Sequence, residues 1–496
     1  MIKIQIALSL IVSFFSVELL ANNNEFNCKK FLRWTSDQTI PKCPVTGNTK
    51  LPETYPVAAF VVSDEANMET EAAEVFTETF VKNVLEASGE RTPLFFLPVK
   101  DETFTKVQNI VRGVTSINSE RQKRWLDSLI HLPDTPRVIW QQDYFEAFIN
   151  SVTGLPVLRS ISGYEDDHGI EVGPRLINDI TTGCSFFKAG KPLPPDEIDY
   201  QLGDPDTGGN IEALPGGLCA YGDQQDFDTF GKHYCVKSGN AVVLNTSWLS
   251  VGHVDEVFAV VKNKKAASPC DFAVLLVSPR KGLQLLRQRA KEKFASFYSH
   301  LSGYSNKDLW YRSGGTSDPQ NIELLCNLVS KSKKKRRCDG MNNFSNGDIY
   351  GFIRNDRELR VLNQLVDRVM EENRKTIELK LSERFPACSI KFIEVPGIFY
   401  GGTPVLKKGC RKRGGTDCYD LPLDSARSFL PSLVNLVQVE DTVLSPHPQT
   451  KGFVTYMNGV YDSLGLKVNY IDTYDYGHMG QGDLHCVTHA INICRP

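Results

Sequence analysis

Between residues 56 and 472 the chain alternates short apolar runs with amphipathic helical stretches, and reactive side chains stand just past the ends of those runs. Residues hundreds of positions apart meet only if such units are arranged about a common centre. PVAAFVV (56–62) and PLFFLPV (93–99) read as strands on either side of a helix over 69–88. A helix near 119–130 leads into RVIW (137–140), expected to be a buried strand that delivers Asp143, and AVVLNTSWLS (241–250) carries the chain to His253 and Asp255. DFAVLLVSP (271–279) before an expected helix from 280 to about 300 repeats the pattern. A long helix over 357–385, SIKFIEV (389–395), LVNLVQV (433–439), a helix over 452–464 and LKVNYID (466–472) complete it. The class is α/β. No internal repeat is visible, so periodicity alone fits a barrel or an open sheet equally well.

WLSVGHVDE (248–256) holds His253 and Asp255, WQQDYFE (140–146) holds Asp143, and GDLHC (482–486) sets Cys486 beside His485. Two carboxylates, a histidine and a thiol suit chemistry on a guanidinium. Its planar N–H donors pair with carboxylates bidentately, and its electron-poor carbon is open to a thiolate. Taken singly, each residue has an ordinary explanation: Cys486 as a structural thiol with Cys494 at hand, His253 as a turn histidine, Asp143 and Asp255 as caps.

The set gains meaning from its surroundings. Together with GGNIEALP (208–215), LVSPR (276–280) and FLPSLVN (429–435), these segments occur in the order and spacing of the protein-arginine deiminases, whose catalytic domain the chain resembles over roughly 51–494. The resemblance does not extend to the family's two immunoglobulin-like N-terminal domains. The resemblance implies an α/β propeller, or pentein, of five ββαβ units. It implies Asp143 and Asp255 as guanidinium clamps, Cys486 as nucleophile, His253 as acid and base, and Trp140 as a wall against the substrate's aliphatic stem. Calcium is implied too, on Gln142, Glu146, the carbonyls of Gly208 and Ile211, and Glu212, all oxygen donors as a hard cation needs. Tyr144 stands where a second family calcium site has an acidic ligand, and Asp166 and Asp167 do not align with it. One arginine that grips the substrate backbone in the family falls here at Gly480, and the other lies in the divergent stretch 159–175. Arginine in proteins is therefore the first substrate class implied, with free arginine or agmatine second and amidino transfer to an amine third. A catalytically silent secreted binding protein is the alternative from another class.

Residues 1–21 read as a secretory signal, Lys3 followed by an apolar run ending at Ala21, with an uncleaved anchor as the competing reading. Residues 22–50 follow as a short disulfide-stapled extension, and 51–496 as the catalytic domain. No other segment is long and apolar enough to span a bilayer, so a secreted, soluble mature protein is expected. Thirteen cysteines suit an oxidising compartment, and setting Cys486 aside leaves an even number for bridges. Cys28 with Cys43 and Cys410 with Cys418 are the nearest pairs. A net charge of −3 gives no global basic field and hence no support for nucleic acid binding. KSKKKRR (331–337) and RKR (411–413) read as solvated loops, and Asn245 and Asn343 sit in glycosylation sequons, with Asn343 the more accessible. Oligomeric state is open.

Overall fold

The computed structural model describes residues 40–43, 48–65, 70–89, 91–114, 117–160, 171–190, 208–224, 231, 235, 238–292, 345–411, 415–474 and 476–495. The expected signal sequence, Cys28, Asp166, Asp167, the 331–337 run, Arg413 and Asn343 lie outside them.

Among the described residues, five sheets share one pairing rule. A leading strand runs antiparallel to a second, and the second runs parallel to a third. In the first sheet Thr488–Asn492 leads, followed by Val57–Val62 and Leu94–Leu97, with Leu129–His131 added outside. Phe145–Asn150, Leu155–Ser160 and Lys188–Ala189 form the second, whose leading strand also pairs with Asn48–Thr49. The third holds Ile211–Leu214, Leu218–Gly222 and Ala241–Leu244. Phe258–Lys262, Phe272–Ser278 and Lys391–Pro396 make the fourth, and Val437–Val439, Thr442–Pro446 and Lys467–Ile471 the fifth.

A parallel step needs a crossover, and in four of the sheets a described helix supplies it. Thr70–Ala87 serves the first, Val172–Gly183 the second, Pro279–Gln288 with Arg357–Arg384 the fourth, and Lys451–Leu464 the fifth. Local chemistry fixes their ends. Ser278 caps Pro279–Gln288 by accepting from the Lys281 N–H at 3.1 Å, with proline in the first turn where a missing N–H costs nothing. Asp356 caps Arg357–Arg384 through the Leu359 N–H at 3.0 Å, and Gly465, at φ 75°, ends Lys451–Leu464 in the left-handed region that glycine enters without strain. Two of the second strands, each between partners, are buried at every position: Val57–Val62 and Phe272–Ser278. No described helix is long and apolar enough to cross a membrane.

Three sequence expectations are corrected. RVIW is not a strand: residues 137–140 follow Pro133 and Pro136 as irregular chain, and the strand begins at Phe145, beyond Asp143. The helix expected to reach Ile130 stops at Asp127, and Leu129–His131 joins the first sheet. The helix expected from Arg280 ends at Gln288. Helices Asp101–Gly113 and Val172–Gly183 were not anticipated.

Cysteine pairing also differs from the local guess. Cys410 joins Cys418 as expected, but Cys43 bonds Cys494, 451 residues away, rather than Cys28. Cys219–Cys235 and Cys270–Cys388 are also bridged, and Cys486 is free and buried. The long bridge fastens both ends of the described chain beside the first sheet, where Lys42 also pairs with Arg495. Closing a loop of that length removes much freedom from the unfolded chain. Replacing Cys43 and Cys494 together by serine should cost about 2–5 kcal/mol in denaturant unfolding. An unchanged midpoint would mean that strand pairing alone secures this seam.

Candidate active site

Each leading strand is entered from a turn, and these turns carry the reactive residues. Gln141–Asp143 precedes Phe145–Asn150, Gly208–Asn210 precedes Ile211–Leu214, and Val254–Glu256 precedes Phe258–Lys262. Asn435 lies just before Val437–Val439, and His485 and Cys486 just before Thr488–Asn492. Segments remote in sequence thus meet at equivalent positions of the five sheets.

Asn435 organises the thiol. Its Oδ1 accepts the N–H groups of His485 (2.8 Å) and Cys486 (3.2 Å), while its Nδ2 donates to Asp255 Oδ2 (3.0 Å) and Cys486 Sγ (3.1 Å). Asp255 Oδ2 also meets Cys486 Sγ at 3.3 Å and His485 Nδ1 at 3.1 Å. Asp255 Oδ1 is buried and accepts no hydrogen bond, so it is the oxygen left to meet an incoming N–H donor. Asp483 braces the thiol turn, taking the Ser432 N–H (2.7 Å) and the Thr473 hydroxyl (2.9 Å). The Gln142 N–H reaches the Cys486 carbonyl at 3.5 Å and ties the Asp143 turn to it.

Electrostatics bind the set together. Burial raises the Cys486 thiol well above its ordinary value, and the charges of Asp255 and then Asp143 add to the rise. Burial also opposes ionisation of Asp255, but the hydrogen bond and charge of His485, with His253 nearby, hold its carboxyl below the ordinary value. His485 is lifted well above an ordinary imidazole: burial works against its charge, and Glu212, the bond to Asp255 and Glu53 outweigh it. His253 opens the Val254–Glu256 turn, with its N–H on Glu256 Oε1 at 3.2 Å. Gly209 lets another turn close over it, since a Cβ there would come within 2.5 Å of His253 Nδ1.

Trp140 leans on two glycines. A Cβ on Gly482 would collide with both the indole and the Cys486 Cβ, and one on Gly480 would lie 2.8 Å from the Trp140 Cζ2. The indole therefore fills the space into which a side chain at position 480 would project.

His485 links the thiol to an acidic cluster. Its Nε2 lies 3.2 Å from Gln142 Nε2, 3.6 Å from Glu212 Oε1 and 3.8 Å from Glu53 Oε1. Glu146 is buried behind them, its carboxyl pushed up to about 7 by burial against the opposing pull of Lys50. The Lys50 ammonium donates to Glu146 Oε1 at 3.1 Å and to the Ile211 carbonyl at 2.6 Å. Burial works against its charge, yet Glu146 and then Glu212 leave it above an ordinary lysine. Of the oxygens expected to hold calcium, Glu146 Oε1 and the Ile211 carbonyl meet on an ammonium instead. As built, the cluster does not fit a divalent cation, because Lys50 stands between Glu146 and Ile211, and among the described residues no group of three histidine, cysteine or carboxylate side chains is arranged as a metal cage.

The structure brings Asp143, His253, Asp255 and Cys486 together, with Trp140 at their edge. It places Gln142, Glu146, Ile211 and Glu212 next to them, and Gly208 opens the adjoining turn. Sequence reasoning missed Lys50, Glu53 and the role of Asn435. Asn435 closes the FLPSLVN segment, which alone could have drawn attention to it.

Comparison with known proteins bears on the family. A sequence model described as protein-arginine deiminase (PAD) matches residues 234–495. Human protein-arginine deiminase type-3 is 25% identical over 478 residues, 87% of this chain and 57% of that protein. Mouse protein-arginine deiminase type-1 is 25% identical over 261 residues, 50% of this chain and 28% of that protein. The chain thus spans little more than half the length of the first of these relatives and less of the second. Among solved structures, C. jejuni agmatine deiminase aligns over 91% of this chain and 98% of its own at 10% identity and a TM-score of 0.46. The agmatine deiminase of Enterococcus faecalis aligns over 91% and 99%, at 13% identity and a TM-score of 0.44.

Proposed function

The chain belongs to the protein-arginine deiminase family, and from that membership we propose that it hydrolyses the guanidinium of arginine residues in proteins, giving citrulline residues and ammonia. The observation that carries this reading is the Asn435-centred junction of Asp255, His485 and Cys486, with the Asp143 and His253 turns against it.

Asp143 and Asp255 hold the substrate cation, Asp255 through the oxygen that its neighbours leave unused. Entry of that cation offsets the negative charge that disfavours the thiolate, so Cys486 ionises when substrate is present and passes its proton to His253. The thiolate attacks the central carbon, breaking the C=N double bond and giving a tetrahedral adduct. His253 returns its proton to one departing nitrogen, ammonia leaves, and a thiouronium remains on Cys486. His253 then takes a proton from water, and the hydroxide adds to the same carbon. Collapse breaks the C–S bond, restores the thiolate and leaves citrulline, the hydroxyl proton going to ammonia. The burial and hydrogen bonding of Cys486 support a positioned nucleophile.

In this reading the five sheets stand as blades about one axis, since turns at equivalent positions supply the site. Residues 51–496 form the catalytic unit, after a secretory leader over 1–21 and an extension over 22–50. The four bridges among the described residues suit export to an oxidising compartment. Trp140, set beside the thiol by Gly480 and Gly482, lies along the substrate's aliphatic stem.

The test is citrulline release from a blocked arginine peptide, free arginine and agmatine, measured side by side. The peptide should be turned over with kcat/KM at least about tenfold above the others, a preference of about 1.4 kcal/mol. Faster turnover of free arginine or agmatine would move the substrate class to small guanidines. No release from any of them would leave a binding protein.

A further inference from the structure

We infer that the Lys50 ammonium is the cation that bridges the second and third sheets at this site, in place of a bound divalent metal. The backbone sets it there. Asn48–Thr49 pairs antiparallel with Ile149 and Asn150, on the same strand that carries Glu146, so the next residue is delivered to the edge of the acidic cluster. From there the side chain reaches Glu146 Oε1 on its own sheet and the Ile211 carbonyl on the neighbouring one. Ile211 is followed by Glu212, which faces His485, and His485 bonds Asp255 beside the thiol. Lys50 is thus a positioning residue that acts through this chain of contacts.

The remaining oxygens say what happens without it. Gln142 Oε1, Glu146 Oε2, Glu212 Oε1 and Glu53 Oε2 are buried and accept no hydrogen bond. A dication entering among them meets the ammonium already held by Glu146 Oε1 and the Ile211 carbonyl, and is repelled. With the ammonium gone, the same oxygens are donors of the type calcium takes, and the cation would draw them together. The inference rests on the proposed chemistry only where activity is the readout.

The experiment compares the full-length wild type, Lys50→Ala and Lys50→Arg, by calorimetric titration with calcium and by melting in excess chelator or in about 1 mM calcium. Wild type should show no binding heat, with melting temperatures equal to within about 1 °C and equal citrulline release in both buffers. Lys50→Ala should melt lower in chelator by on the order of 5 °C, release citrulline more slowly there, bind calcium and recover both properties with it. Lys50→Arg should keep metal-free behaviour. The inference is overturned if wild type binds calcium and melts higher with it. A Lys50→Ala protein that matches wild type in chelator overturns it too, as does a loss that calcium does not restore. If the alanine protein does not fold, the wild-type titration and Lys50→Arg still decide. If no variant makes citrulline, the deiminase reading fails while the calorimetry and melting still judge the ammonium.

Discussion

Cys486→Ala should abolish citrulline formation while the protein keeps its melting behaviour. Cys486 is the free thiol among the described residues, and in the proposed route its removal deletes the path to the thiouronium rather than slowing a step along it. The fold should survive because the Cys486 N–H still bonds Asn435, and Asn435 still bonds His485 and Asp255. Only the Sγ contacts are lost. Citrulline assay and thermal denaturation on the same preparation check both halves. Activity at a tenth of wild type or more would end the assignment and send attention to another nucleophile.

Asp255→Asn should be nearly as damaging for a different reason. In the wild type one oxygen of Asp255 receives His485, Asn435 and Cys486, and the other is buried and accepts no hydrogen bond. The amide keeps the shape but removes the charge that balances His485 and the incoming guanidinium. Leaving a buried charge without its partner costs about 3–5 kcal/mol, which corresponds to a fall on the order of 10²–10⁴ in kcat/KM. A melting curve separates this from unfolding. A twofold or threefold rise in KM at constant kcat would show that the carboxylate does not hold the reacting group.

Much of the architecture was legible because strong local signals and final structure coincide. The apolar run at 56–62, the capped helix beginning at Arg357 and the glycine-ended helix before Gly465 each carry their own start, period or stop. The candidate residues were picked out because their segments follow the order of the resembled family, and the structure brings Asp255 and Cys486 into contact. What failed was whatever depends on distant partners. RVIW has a strand's composition but belongs to the irregular approach to the Asp143 turn, where the site dictates the backbone. Asn435 has no charge and no reactivity, and its importance lies in four hydrogen bonds to residues elsewhere in the chain. Lys50 reads as an ordinary surface lysine until Glu146 and Ile211 are seen around it. The Cys43–Cys494 bridge has no local spacing to betray it.

The seam of the first sheet bears on how such a protein is made. Thr488–Asn492 pairs with Val57–Val62, and the thiol lies immediately before that late strand. A ribosome therefore produces Asp143, His253 and Asp255 long before Cys486, and a nascent chain halted short of Asn492 lacks part of the strand that follows it. Such a fragment lacks the strand pairing beside which Cys486 meets Asn435, so the junction of Asp255, His485 and Cys486 is not held in it. The first sheet therefore closes, and the junction with it, only after Thr488–Asn492 has been made.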